Sequence, residues 1–499
     1  MPVNRKVYLN TATSLLLQVT TVVCGFILPR LILTHFGSAV NGLIGSINQF
    51  LGFITFLEMG VGGVVQANLY KPIADHDEDK ISAIVTSADK FFRHLALIIL
   101  AFAIGMLLLY PLLVIDEFDY LYTATLIAAI AISMFAQYYF GVVNQIFLDA
   151  DQHGYVHFIL ETVTLVLNTI AAAIIINLDG SIQLVKFASS CIYLLRPWLL
   201  YIYVKERYHI DRHFKYEEEP IRQKWNGVAQ HLAAIINDST DAMVLTVLST
   251  LQNVSIYSVY NLVVSGVRAI VVAATRGMGT YLGQLWATRS EDLKGIFEYF
   301  EWLLHTVVCL VCGCTLVLIV PFVSVYTRSI TDANYHQPLF AVLVTLVCTL
   351  YCVKLPYSQM INAAGHYKQT QHLYIYAAII NMGISLATAR SLGLIGIAMG
   401  SLIAMAFQCL AEESYCSAHF VVRPTYDFVK RMLVNALTLV LGYALTFGIA
   451  LGDLTYAAWV LMAIKVLLIW LVVALGVNVL LYRQYTLRLL SKLLSKLRR

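Results

Sequence analysis

"GFITFLEMGVGGVVQANLYKP", residues 52–72, carries Glu58 in the middle of an apolar, glycine-rich run. In a soluble core that carboxylate would protonate or find a partner. In hydrocarbon it costs about 2.5–3.5 kcal/mol on insertion scales, so it needs a reason to be there. The solvent around it therefore decides the reading. The 499 residues are 59% hydrophobic and only 12% charged, whereas soluble domains average about 25% charged. The apolar residues come in stretches of about twenty or more, the length that crosses about 30 Å of hydrocarbon as helix. This pattern predicts an all-α polytopic membrane protein.

Apolar runs and their polar breaks predict fourteen spans, near 10–34, 39–69, 92–115, 120–147, 155–178, 182–204, 228–250, 254–285, 296–325, 338–362, 371–390, 393–417, 431–452 and 455–482. With the N-terminus inside, most of the 33 Lys and Arg fall in the N-terminal segment, the even-numbered connections and the tail. The outer ends hold only Arg30, Arg328 and Arg390. That asymmetry predicts both termini on the cytoplasmic side. The start, "MPVNRKVYLNTATSLLL", has a basic beginning but no small-residue cleavage site, and reads as the first span. The tail, "TLRLLSKLLSKLRR" at 486–499, places Leu490, Leu493, Leu494 and Leu497 on one stripe opposite Lys and Arg. It reads as a basic amphipathic helix on anionic inner-leaflet lipid. A net charge of +4 gives no reason to expect nucleic acid.

The nine cysteines lie almost entirely inside apolar stretches. "CLVCGC", 309–314, has the look of a metal cluster, and His305, Cys309 and Cys312 share a helical face. The plainer reading is small, soft residues packing inside a helix, and no metal is expected.

The longest cytoplasmic connection, "KERYHIDRHFKYEEEPIRQKW" at 205–225, reads as a solvated linker dividing six spans from eight. A shift of 217 positions lays the first two spans on the seventh and eighth. "GSAVNGLIGSINQFLGFITFLEMGVG" then faces "VSIYSVYNLVVSGVRAIVVAATRGMG", and Gly60 and Gly62 meet Gly277 and Gly279. This weak repeat suggests a six-plus-six duplication with both units in parallel orientation. The predicted organisation is an N-terminal six-helix lobe (1–204), a linker (205–227), a C-terminal six-helix lobe (228–420), two added spans (421–482) and the tail (483–499).

Most of the ionisable residues deep in spans fall on the first hairpin of each repeat: Arg30, Glu58, Asp238, Asp241, Arg268 and Arg276. Glu161, Lys186, Arg196, Lys354 and Lys465 are more scattered. Asn41, Asn48 and Thr55 follow one stripe of the second span, and Asn261, Ser265, Arg268 and Thr275 one face of the eighth. Six charges facing lipid would cost roughly 15–20 kcal/mol, so they must face one another or water. Each alone reads equally well as an interhelical tie. As a set they point to a polar central cavity between the two lobes. Arg30, Arg268 and Arg276, with Asn48 and Asn261, suit a phosphate-bearing substrate, because the guanidinium is a permanently charged planar donor. Glu58, Asp238 and Asp241 are the candidates for ion coupling, since a desolvated carboxylate can be poised to take up a proton or cation. His231 lies on the stripe of Asp238, and His157 one turn before Glu161; for each, a plain polar-facing role is the simpler reading.

Residues 237–270, "NDSTDAMVLTVLSTLQNVSIYSVYNLVVSGVRAI", resemble the seventh and eighth spans of the polysaccharide-transport family, the O-antigen and exopolysaccharide flippases. "ILPRLILTHFGSAVNGLIGSINQFLGFITFLEMGVGGV", 27–64, resembles the same family's first hairpin. That family belongs to the multidrug/oligosaccharidyl-lipid/polysaccharide exporter superfamily. The resemblance implies two six-helix lobes around a central cavity, alternating access and two extra C-terminal spans. It implies as substrate an undecaprenyl-pyrophosphate-linked oligosaccharide repeat unit, moved from the inner to the outer leaflet of a bacterial plasma membrane for cell-surface polysaccharide synthesis. It further implies coupling to an H+ or Na+ gradient with no cofactor, and a polysaccharide polymerase as partner. A lipid II flippase or a multidrug extruder of the same superfamily is the alternative. Among enzymes, the rival is a membrane-embedded polymerase or ligase. That rival is disfavoured because the longest exterior segment, "YTRSITDANYHQ" at 326–337, carries no paired carboxylates. No nucleotide-binding loop appears either, so a transporter is expected rather than an enzyme.

Overall fold

The computed structural model describes residues 3–54, 61–216, 218–221, 240–288 and 290–486. Every regular element among them is helical. In chain order they are α1 (Val3–Phe53), α2 (Val61–Asp75), α3 (Glu78–Leu113), α4 (Tyr120–Ala136), a π-turn (Gln137–Gly141), α5 (Val142–Ala150), α6 (Tyr155–Asn177) and α7 (Ile182–Arg207). A short helix α8 (240–248) follows. Then come α9 (Leu251–Thr288), α10 (Ser290–Tyr326), α11 (Pro338–Ala363), α12 (Tyr367–Leu392), α13 (Leu394–Cys416), a second π-turn (Ser417–Val421), α14 (Thr425–Thr446) and α15 (Tyr456–Leu481).

Twelve helices among the described residues are long and apolar enough to cross a membrane. The chain is thus a multi-pass helical membrane protein. The difference from the fourteen expected spans has two local causes. As one rod, the 51 residues of α1 would measure about 75 Å, more than twice a bilayer core. Gly37 divides them at φ 84°, ψ 176°, a conformation open to glycine, so the first span and the start of the second run together only nominally. The seventh span begins in residues outside the described set, and only 240–250 of it is described, helical over 240–248.

Local sequence sets the helix starts. Asp77 caps α3 through Lys80 N at 3.0 Å, Asp119 caps α4 through Leu121 N at 2.9 Å, and Ser181 and Thr455 do the same for α7 and α15. Lys80 and Asp77 also pair at 2.6 Å on the exposed first turn, and the Lys80 hydrogen bond lowers the Asp77 carboxyl below its ordinary value.

The chain forms two compact units, Met1–Ser239 and Thr240–Arg499. In the first, Val61, Val65 and Leu69 of α2 pack with Phe92 of α3 and Phe147 of α5. Tyr110 of α3 donates to Ser46 Oγ at 2.6 Å in the buried interior. Residues 208–216 and 218–221 fold back on this unit. Arg212 pairs with Asp89 of α3 at 2.9 Å, Ser82 Oγ accepts from the Asp211 amide, Ser87 bonds Glu219, and Ile221 is buried. The second unit is tied by the α12–α13 hairpin, which turns at Gly393 with φ 53°. Gly396 and Gly400 let those helices meet closely. A Cβ at Gly396 would come 2.6 Å from Thr388 Oγ1, and one at Gly400 would come 2.5 Å from Ser385 Oγ. Trp470 of α15 is fully buried in a slot between Gly313 of α10 and Gly442 of α14, where any side chain at either glycine would overlap its ring. Gly313 is the glycine of "CLVCGC", so half of that motif's meaning is room for an indole.

Candidate functional site

The close α12–α13 contact has a polar consequence. It brings Asn381 and Ser401 side by side, and both reach Asp241 on α8. Asn381 Nδ2 donates to Asp241 Oδ1 at 3.1 Å, Ser401 Oγ to Oδ2 at 2.6 Å, and the Tyr257 hydroxyl of α9 to Oδ2 at 3.4 Å. Ser385 Oγ and Ser401 Oγ also lie 3.2 and 3.3 Å from Asn381 Oδ1. Asp241, Asn381, Ser385 and Ser401 are all buried. An ionisable carboxylate is thus gathered with an amide oxygen and three hydroxyls, from four helices. Asn381 turns its amide nitrogen to the carboxylate and the Ser401 and Tyr257 hydroxyls donate to it, so this arrangement favours the carboxylate ion, and a proton or hard cation would enter by reorienting these donors. Asp241 was expected from the sequence; its partners on α12 and α13 were not. Their signal was the "GIAMGS" run at 396–401, which puts small residues one turn apart just before Ser401.

The other expected residues are spread more widely. Arg268 of α9 is half-buried, and its guanidinium lies over the Tyr351 ring of α11 at 4.3 Å. Asn261, also half-buried, accepts from Ser265 Oγ at 3.3 Å. In the first unit Arg30 is half-buried, while Asn41 is buried and Asn48 exposed, so the seven-residue stripe of the second span does not present one environment. Arg276 lies on α9, with its side chain outside the described set. Glu58, Asp238, His231 and Thr55 lie outside the described residues, as does the tail from 487 onward. His157 bonds Asp149 Oδ1 at 2.8 Å, and Arg196 reaches the Glu161 carbonyl and stacks on Tyr193. Both read as interhelical ties of the first unit.

A second buried polar cluster escaped the sequence reading because its members sit near span ends. Glu301 of α10 is fully buried and receives Arg423 at 2.5 and 2.7 Å, Arg431 at 2.5 Å and the Tyr357 hydroxyl. Arg423 also meets Glu413 at 3.3 Å and Ser417 Oγ at 3.1 Å. Next to it, Lys354 pairs with Glu412 at 3.4 Å, and Gln408 and Ser358 bond the same carboxylate. The local cause is the π-turn 417–421, followed by Val422 in the left-handed region at φ 42°, which turns Arg423 back into the bundle. Burial by itself would lower the Arg423 pKa, but its bonds to Glu301 reverse that and raise it, so the cation stays charged. Only the "EES" at 412–414 and "VVRP" at 421–424 hinted at this, and nothing in their spacing predicts that they meet Glu301.

Of the three residues of the cysteine-motif reading, His305 and Cys309 both meet Asn435, and Cys312 parts from them. His305 Nε2 turns to the Val353 carbonyl at 3.1 Å and Nδ1 to Asn435 at 3.2 Å. Cys309 faces the Asn435 carbonyl, and Cys312 turns toward α11.

No protein-family model and no curated protein matches the chain. Solved structures do. The chain is similar to the lipid II flippase MurJ in an inward closed conformation, with a TM-score of 0.70 at 15% identity over 94% of this chain and 99% of that one. It is similar to a multidrug resistance MATE family transporter of the MOP superfamily in an inward-facing conformation, with a TM-score of 0.62 at 15% identity over 80% of this chain and 95% of that one. A eukaryotic MATE transporter aligns with a TM-score of 0.52 at 11% identity over 82% of this chain and 95% of that one. At these identities the likeness is one of fold: this chain has the helical architecture shared by MurJ and the MATE transporters.

Proposed function

We propose that this protein is a flippase that carries a lipid-linked, pyrophosphate-bearing oligosaccharide across a bacterial plasma membrane, with both termini cytoplasmic, and that uptake of H+ or Na+ at Asp241 drives the cycle. The observation that carries the reading is the buried Asp241–Asn381–Ser401–Tyr257 cluster in a chain with an exporter fold. A buried carboxylate whose oxygens are met by neutral donors changes its environment sharply when a proton or cation binds, and helices α8, α9, α12 and α13 all feel that change. Arg268 of the second unit would supply permanent positive charge for the substrate's pyrophosphate.

The substrate named by the family resemblance is the undecaprenyl-pyrophosphate-linked repeat unit of a surface polysaccharide. A second reading, lipid II itself, is favoured by the likeness to MurJ over 94% of this chain, whereas the MATE likeness covers 80%. Both substrates share the prenyl pyrophosphate. The test is complementation in a host that lacks the protein, reading the leaflet distribution of lipid-linked oligosaccharide and, separately, of lipid II. The wild-type chain is expected to move one of them outward, and Asp241→Asn and Arg268→Ala to leave it on the cytoplasmic face. Normal translocation with shortened polymer would favour the enzyme class. Unchanged lipids with altered sensitivity to cationic drugs would favour an extruder.

A further inference from the structure

Cys312 of α10 and Cys348 and Cys352 of α11 place their three Sγ atoms within 4.8 Å of one another. Among the described residues no other group of three His, Cys, Asp or Glu ligand atoms converges so closely. All three cysteines are buried and none is in a disulfide. Cys348 and Cys352 are one helical turn apart, so both project from one face of α11, and Cys312 completes the triangle from α10. Two features distinguish this from sulfur used merely as filler. The sulfurs of two helices converge on one point, whereas Cys309 and Cys314 of the same motif do not join them. The Arg268 guanidinium also lies within electrostatic reach of Cys348 and Cys352, where its charge would offset thiolates.

We propose that Cys312, Cys348 and Cys352 form a trigonal, all-sulfur site for a soft monovalent cation, Cu(I). Three sulfurs at about 2.3 Å from one metal stand about 4.0 Å apart, so the triangle needs to contract by less than about 1 Å. Thiolate ligands select Cu(I) among soft ions, and a structural Zn(II) site would call for a fourth ligand. On binding, three S–H bonds are lost and three Cu–S bonds form. Three protons pass to the buffer, and no electron is transferred. The site then holds two net negative charges, one of which Arg268 offsets. The Cys348 thiol gives up its contact with the Val264 carbonyl, now 3.6 Å away. The bound ion clamps α10 to α11 in the middle of the second unit.

The full-length chain, purified in detergent without oxygen, would be titrated with Cu(I) against a coloured Cu(I) chelator and then measured by X-ray absorption. The expected result is one copper per chain with three sulfur neighbours. Cys312→Ser and the Cys348→Ser/Cys352→Ser pair are each expected to weaken binding at least about 10–100-fold, the range for loss of even an outer partner. Cys309→Ser and Cys314→Ser are expected to bind as wild type. The proposal is overturned if the wild-type chain takes up no copper, if its neighbours are nitrogen or oxygen, or if the two control variants lose the metal as well. The wild-type spectrum counts the ligands directly, so a variant that fails to fold does not spare the proposal.

Discussion

Two carboxylates are buried in the second unit, and their surroundings differ. Glu301 is held by two guanidinium groups and a phenol, Asp241 by an amide and two hydroxyls. Desolvating a carboxylate costs several kcal/mol unless charge returns the loss. At Glu301 the opposing charge is built in, and the acid works as a fixed joint. It ties α10 to the segment that leads into α14. At Asp241 the side chains of Asn381, Ser401 and Tyr257 each point a neutral donor at the carboxylate. The lesson is that two buried carboxylates of one unit are met by different kinds of partner.

The largest effect is expected at the joint. Arg423→Ala leaves Glu301 with one guanidinium and Glu413 with none, and is expected to destabilise the unit by about 3–5 kcal/mol, read as a lower melting temperature and lower yield in detergent. A stability unchanged from wild type would break the contrast. Next is Gly400→Ala, which drives a Cβ against Ser385 Oγ and the Asn381 carbonyl. About 1–3 kcal/mol of overpacking is expected, together with loss of export, because Ser401 moves off Asp241. Asp241→Asn keeps shape and most hydrogen bonds, so its stability is expected within about 1 kcal/mol of wild type while export is lost. A large stability loss without a specific export defect would make Asp241 a second joint. The smallest effect is expected for Ser385→Ala, which removes one hydrogen bond to Asn381 Oδ1. It is expected to cost about 0.5–1.5 kcal/mol, with a shift in the cation or pH dependence of transport and no loss of maximal rate.

The fold was largely legible from composition and spacing. Apolar runs of bilayer length survive in the structure as helices, and short breaks fall at Gly37 in one unit and at residues 249–250 in the other, close to where the turns were expected. These features are set by solvent, a condition every segment meets on its own. Asp241 was legible for the same reason, since a charge in an apolar run is conspicuous wherever the run goes. Its partners were not, because Asn381 and Ser401 are ordinary polar residues 140 and 160 positions away and acquire meaning only when Gly396 and Gly400 let α12 and α13 close. Glu301 and Arg423 lie near span ends, where a charge is inconspicuous, and the turn at Val422 carries one to the other. Around "CLVCGC", His305 and Cys309 share Asn435 as a neighbour, while the sulfur partners of Cys312 come from α11. The sequence by itself determined that the chain lies in a membrane and where it must spend charge, because those are local balances between side chain and solvent. Only the tertiary structure decided which partners each of those charges meets, because that depends on helix contacts between residues far apart in the chain.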